Sequence, residues 1–132
     1  MRDQYRREMN CQVIHDSIHQ RPGWTREYVL ESDREAVGYG SVAVNGPWRD
    51  TPALYEFYVK PECRKRTFDL FAGLLAVCGA RMIETQSNAR MLTVMLHTFA
   101  RNVRAESILF EDGFQTSLSP AGAGFRAATG ED

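Results

Sequence analysis

One carboxylate stands inside an otherwise aromatic strand pattern. Ala53 to Val59 reads ALYEFYV, with Tyr55, Phe57 and Val59 expected on one face and Leu54, Glu56 and Tyr58 on the other. An unpaired charge among aromatics is costly to bury. Such isolation would raise the pKa of Glu56 toward the range of a general base. The other reading is that Glu56 pairs with an arginine or faces solvent at a sheet edge. Tyr58, two positions on and on the same face, is a hydroxyl of the right type to act as an acid. Pro61 then ends the strand, because it lacks an N–H and fixes φ. A basic turn follows, Arg64-Lys65-Arg66-Thr67, and after it a helical pattern at Phe68, Phe71, Ala72, Leu75 and Ala76. A helix N-terminus carries free N–H groups and a positive partial charge. Basic residues placed there make an anion site suited to phosphate or pyrophosphate.

Two further groups can do chemistry. His15 and His19 are four apart, a spacing that can hold a metal on one helix face. No third ligand is evident, so they are expected to be surface or half-buried histidines, and no metal is expected. Cys63 adjoins the basic turn, where neighbouring cations favour the thiolate. No histidine is local to it, so a reactive but noncatalytic thiol is expected.

The elements that must position these groups follow from periodicity. The 132 residues fit one domain, and an apolar content of 43% is ample for one core. Residues 3 to 20 form an amphipathic pattern on Tyr5, Met9, Val13, Ile14 and Ile18, closed by Pro22-Gly23. Residues 27–31 and 36–44 predict an antiparallel hairpin around the polar turn 32–35. Gly38 and Gly40 within it mark a bulge or a close approach by a ligand. Trp48 lies in a loop that either edges a pocket or covers the core. After the central strand and its helix, which stops near Gly79, residues 81–86 read as a strand. Ser87 or Asn88 can cap a helix over 89–100. Residues 106–111 and 114–118 read as a hairpin around Asp112-Gly113, and 119–132 as a loosely structured tail with an edge strand at 124–127. The expected fold class is therefore α+β.

The net charge of −1 gives no reason to expect nucleic-acid binding. Three cysteines without paired spacing argue for a reducing compartment. No apolar run spans a bilayer, and MRDQYRREMN lacks the apolar core of a signal peptide. A cytoplasmic protein without membrane contact is expected.

The stretch Val59-x-Pro61-x-x-Arg64, after a strand and before a helix, resembles the coenzyme-binding motif of the GNAT superfamily of acetyl-CoA-dependent N-acyltransferases. The resemblance covers most of residues 27 to 118 and implies a mixed, mostly antiparallel sheet flanked by helices. The family's first strand is missing or replaced by the N-terminal helix. It implies that main chain at Phe57 to Val59 pairs with the pantetheine arm of acetyl-CoA. Arg64, Lys65, Arg66 and Thr67 would hold its pyrophosphate, and Asn88 would contact the arm unless it serves as a helix cap. Glu56 would be the base and Tyr58 a candidate acid, with an unidentified amine as acceptor. Lys65, Thr67 and Asp69 stand where the family pattern has small residues, which favours a second reading, a noncatalytic ligand-binding or dimerisation module. An uncovered sheet edge also predicts a homodimer. A different register, with 92–96 as strand and 102–111 as helix, would align Asn102 to Ala105 and Gly113-Phe114 with a late family motif.

Overall fold

The computed structural model describes residues 1–9 and 13–106. The fold is α+β, with a four-stranded, mostly antiparallel sheet in the order β1-β2-β3-β4. Strand β1 (Thr25–Ser32) and strand β2 (Glu35–Ala43) form the predicted hairpin. Its two-residue turn places Asp33 and Arg34 at positive φ, which matches the right-handed twist of the strands it joins. Strand β3 (Ala53–Val59) pairs antiparallel with β2, and all seven of its residues are buried.

Strand β4 is only Met82–Ile83 and runs parallel to β3, opposite Ala53 and Leu54. The strand expected over 81–86 is thus much shorter. One further main-chain bond, Glu84 N–H to Leu54 O at 3.0 Å, closes the pairing before the chain turns away.

Helix α1 (Arg2–Met9) buries Tyr5 and Met9. Helix α2 (Val13–Ser17) continues into a single 3₁₀ turn at Ile18–Gln20. The continuous helix expected from 3 to 20 is therefore at least two pieces of differing geometry. Helix α3 (Thr67–Cys78) follows a 3₁₀ segment, Pro61–Arg66, and ends at Gly79 with φ +67°, the left-handed stop that glycine adopts without penalty. Helix α4 (Arg90–Phe99) buries Leu92 and Met95. It overturns the second register, which would have made 92–96 a strand. Apart from Glu106, the expected hairpin over 106–118 lies outside the described residues, as do the strand at 124–127 and Cys11.

The main core joins α1, α3 and α4 to the sheet through Tyr5, Met9, Tyr39, Phe57, Phe71, Leu74, Leu92 and Met95. Phe57 meets Phe71 edge to face at 4.8 Å. A smaller core gathers Ile18, Ala43 and Tyr55 under Trp24 and Trp48. Trp48 thus covers a core, and its indole N–H donates to Glu84 Oε2 at 2.6 Å.

The two strand glycines admit protein, not ligand. A Cβ on Gly40 would lie 2.4 Å from Leu74 Cδ2 of α3, and one on Gly38 only 2.3 Å from the Tyr58 carbonyl oxygen. A leucine tip can swing aside, whereas a paired main chain cannot. Gly38→Ala is therefore expected to cost about 2 kcal/mol, at the level of core overpacking, and more than Gly40→Ala. Urea unfolding of the two variants side by side checks the order.

Candidate functional site

Glu56 is fully buried and is the centre of a polar cluster drawn from four elements. From α2 and the 3₁₀ turn after it, His15 Nε2 and His19 Nε2 lie 3.1 and 3.0 Å from Glu56 Oε1. From β2, the Tyr39 hydroxyl donates to Oε2 at 2.7 Å. From α1, Arg2 Nη2 approaches Oε1 at 3.4 Å while holding Asp16 Oδ1 at 2.5 Å. The cluster extends outward through His19 Nδ1, 3.2 Å from Glu27 Oε1, which also accepts from Ser41 Oγ at 3.0 Å. The Tyr5 hydroxyl lies 3.2 Å from His15 Nε2.

The local cause of this geometry is a bulge in β3. Ser41 faces Glu56, but Val42 faces Leu54, so the register shifts by one residue and Tyr55 is the extra residue of β3. The strict alternation expected for the strand is broken there. Tyr55 stacks on the His15 ring at 4.3 Å instead of joining Phe57 against α3. His15 is thus fixed by a ring on its face and a carboxylate at its edge.

The electrostatics run opposite to the expectation for an isolated carboxylate. Burial alone would raise the Glu56 pKa, but the contacts from His15, His19 and Tyr39 outweigh it and hold the group well below the usual carboxylate range. Burial likewise opposes protonation of His19, yet the Glu27 and Glu56 carboxylates raise its pKa to about 9. Burial and the adjoining Glu56 charge push the Tyr39 phenol far up, so it stays a donor. Glu56 is therefore an ionised, saturated acceptor beside a cationic His19. His15, expected at the surface or half buried, is 1% exposed. Among the described residues, no group of three or more His, Cys, Asp or Glu side chains is arranged to hold a metal ion.

A second feature lies where β3 and β4 part. Beyond Leu54 the β4 side of β3 has no strand partner among the described residues, and the start of α4 comes beside it instead. The space between them is a cavity of about 120 Å³, walled by Phe57 and Tyr58 of β3, by Asn88 to Leu92, and by Tyr5, Glu8 and Met9 of α1. Tyr58, Phe57 and Asn88 are thus brought together. Val59 ends the strand beyond them, and its carbonyl accepts from Arg64 Nε at 3.4 Å. Glu56 does not line this cavity. A larger hollow, about 260 Å³, lies away from both features between β1 and α3.

The basic turn is already engaged by the protein's own acids. Arg64 Nη2 lies 2.6 and 2.5 Å from the two Glu8 oxygens. Arg66 donates to Ser32 Oγ and lies 3.6 Å from Asp33 Oδ2. The Thr67 hydroxyl turns back to the Arg64 carbonyl at 2.7 Å, while Lys65 is exposed. Asn88 is not the helix cap: α4 begins at Arg90 after Ala89, with no side-chain cap, and Asn88 Nδ2 donates to the Met9 carbonyl at 2.9 Å. Cys63, beside the turn, is half-buried and unbridged.

Reading the sequence missed Glu8, His15, His19 and Tyr39 as site residues. Glu8 is one of many helix acids, and its partner is 56 residues on. The i, i+4 histidine pair was the one visible signal, and a carboxylate within an aromatic strand was its counterpart. Comparison with family models, curated proteins and solved structures found no match for this chain. No helix among the described residues is long and apolar enough to cross a membrane.

Proposed function

We propose that this protein is an acetyl-CoA-dependent N-acyltransferase that takes the coenzyme arm into the space between β3 and α4. The observation that carries the reading is the parting of two parallel strands. β3 and β4 pair over two residues, after which the free edge of β3 faces a cavity bounded by Phe57, Tyr58 and Asn88, with Arg64 beyond. A free strand edge offers main-chain donors and acceptors to an extended, amide-bearing ligand. The resemblance of Val59, Pro61 and Arg64 to the coenzyme motif supports the same placement.

The chemistry asked of the protein is small, because the thioester supplies the activated acyl group. The amine nitrogen forms a bond to the acyl carbon and gives up a proton to water, the carbon–sulfur bond breaks, and the leaving thiolate takes up a proton from a donor that water then reprotonates. Tyr58, on the cavity wall, is the hydroxyl placed to give that proton. Burial and the Glu8 charge raise its pKa, which keeps it protonated. Glu56, two residues back along β3, does not line the cavity and has polar contacts on both oxygens, so it fits the role of anchor better than that of free base. That saturation, with the engagement of Arg64 and Asn88 by α1, favours a second reading: a noncatalytic module on the same groove.

Calorimetric titration with acetyl-CoA tests the first reading. Binding by the wild-type chain that Arg64→Glu loses is the expected result, followed by release of free thiol on adding amines. A folded wild-type chain that binds no acetyl-CoA overturns it. Binding without thiol release from any amine leaves the module reading.

A further inference from the structure

Helix α1 lies across the proposed coenzyme groove and uses the groove's own ligand-facing groups. The Glu8 carboxylate holds the Arg64 guanidinium through both oxygens, as a phosphate would. The Met9 carbonyl takes the Asn88 amide at 2.9 Å. Tyr5, Glu8 and Met9 form one wall of the 120 Å³ cavity, which is too small for a pantetheine arm while they are in place. These contacts come from a single helix, and each satisfies a group that would otherwise face the ligand.

We infer that α1 is a built-in competitor of the coenzyme, a strap whose Glu8 stands in for the diphosphate on Arg64. The inference rests on the groove reading given under the proposed function. Binding of acetyl-CoA and docking of the second half of α1 then exclude each other. The strap is held at two ends of unequal strength. At the Arg2 end, the guanidinium is tied to Asp16 and to the buried Glu56. At the Glu8 end, the ion pair is 39% and 49% exposed, so solvent screens it and it gives way first. Tyr5 and Met9, both 4% exposed, lie between. The coenzyme therefore has to release Glu8 and Met9 without unseating Arg2.

Two measurements on the full chain test this. The first is titration of wild type, Glu8→Gln and Glu8→Lys with acetyl-CoA. Glu8→Gln is expected to bind at least fivefold more tightly, because Arg64 is freed while the surface helix keeps its length and polarity. Glu8→Lys should also bind more tightly than wild type. The second is hydrogen exchange of the wild type with and without acetyl-CoA. Amides of Tyr5 to Met9 are expected to exchange faster on binding, whereas a ligand that merely covers its site slows exchange. Equal affinity in all three proteins, or slower exchange in α1, overturns the strap and leaves the groove reading standing. No binding by the folded wild-type protein overturns the groove reading, and the strap falls with it.

Discussion

Glu56→Gln is expected to destabilise the protein by about 3–5 kcal/mol, the range for removing one partner of a buried charge cluster. The carboxylate is fully buried, has nitrogens of His15, His19 and Arg2 within 3.4 Å of one oxygen, and accepts from the Tyr39 hydroxyl on the other. An amide keeps the volume but removes the charge. Its NH₂ group can be met only by turning the Tyr39 hydroxyl from donor to acceptor, since the nitrogens of His15, His19 and Arg2 crowd the other side. The His19 cation is left in a half-buried site with only Glu27 to offset it. The loss is expected as a lower urea midpoint with little change of slope. A variant as stable as wild type would show that the cluster is solvated and loosely held. The comparison also separates a structural role from a chemical one. If Glu56 is the anchor of α1 and α2, acyl transfer by the surviving folded fraction falls far less than stability does.

The fold was largely legible because its signals are local. Alternating apolar residues placed β1, β2 and β3 within one or two positions, Pro61 ended β3, and Gly79 ended α3. The features that failed depend on distant partners. β4 is short because its backbone finds main-chain partners only from Pro52 to Leu54, a limit that RMIETQ does not encode. Asn88 reads as a helix cap, but a carbonyl from α1, 79 residues earlier, takes its amide. The bulge at Tyr55 has no glycine to announce it and is settled by the ring stacked on it from α2.

The candidate site shows the same division. That Glu56 is unusual was visible, since a lone acid in an aromatic strand must find partners or ionise poorly. Which of these holds was not visible, and the direction of its pKa turned on it. Two histidines at helical spacing carry no sign of a carboxylate 41 residues beyond the first of them. Once the chain folds, the strongest local anomaly in the sheet meets the strongest local anomaly in the N-terminal helices.

That meeting gives the second large expected effect, a loss of stability on the alkaline side of neutrality. His19 has an ordinary pKa of 6.5 and a folded value of about 9, because the Glu27 and Glu56 carboxylates overcome the cost of its burial. A group whose pKa is raised on folding binds its proton more tightly in the folded state. Its contribution is therefore complete below about pH 6.5 and is lost as pH rises through about 9. Glu56 acts in the opposite sense. Its pKa is lowered on folding, so its contribution is complete above the ordinary carboxylate range and fades as pH falls below it. Stability should thus be greatest on the mildly acidic side, between the ordinary carboxylate and histidine values. It should then decline by about 2–3 kcal/mol between neutrality and pH 9. Urea midpoints measured from pH 5 to 9.5 read the decline directly. His19→Gln isolates its source: the variant should be less stable than wild type near pH 6 and should approach it near pH 9.5. An alkaline limb of equal depth in the variant would assign the decline to other groups and would leave His19 neutral in the folded protein.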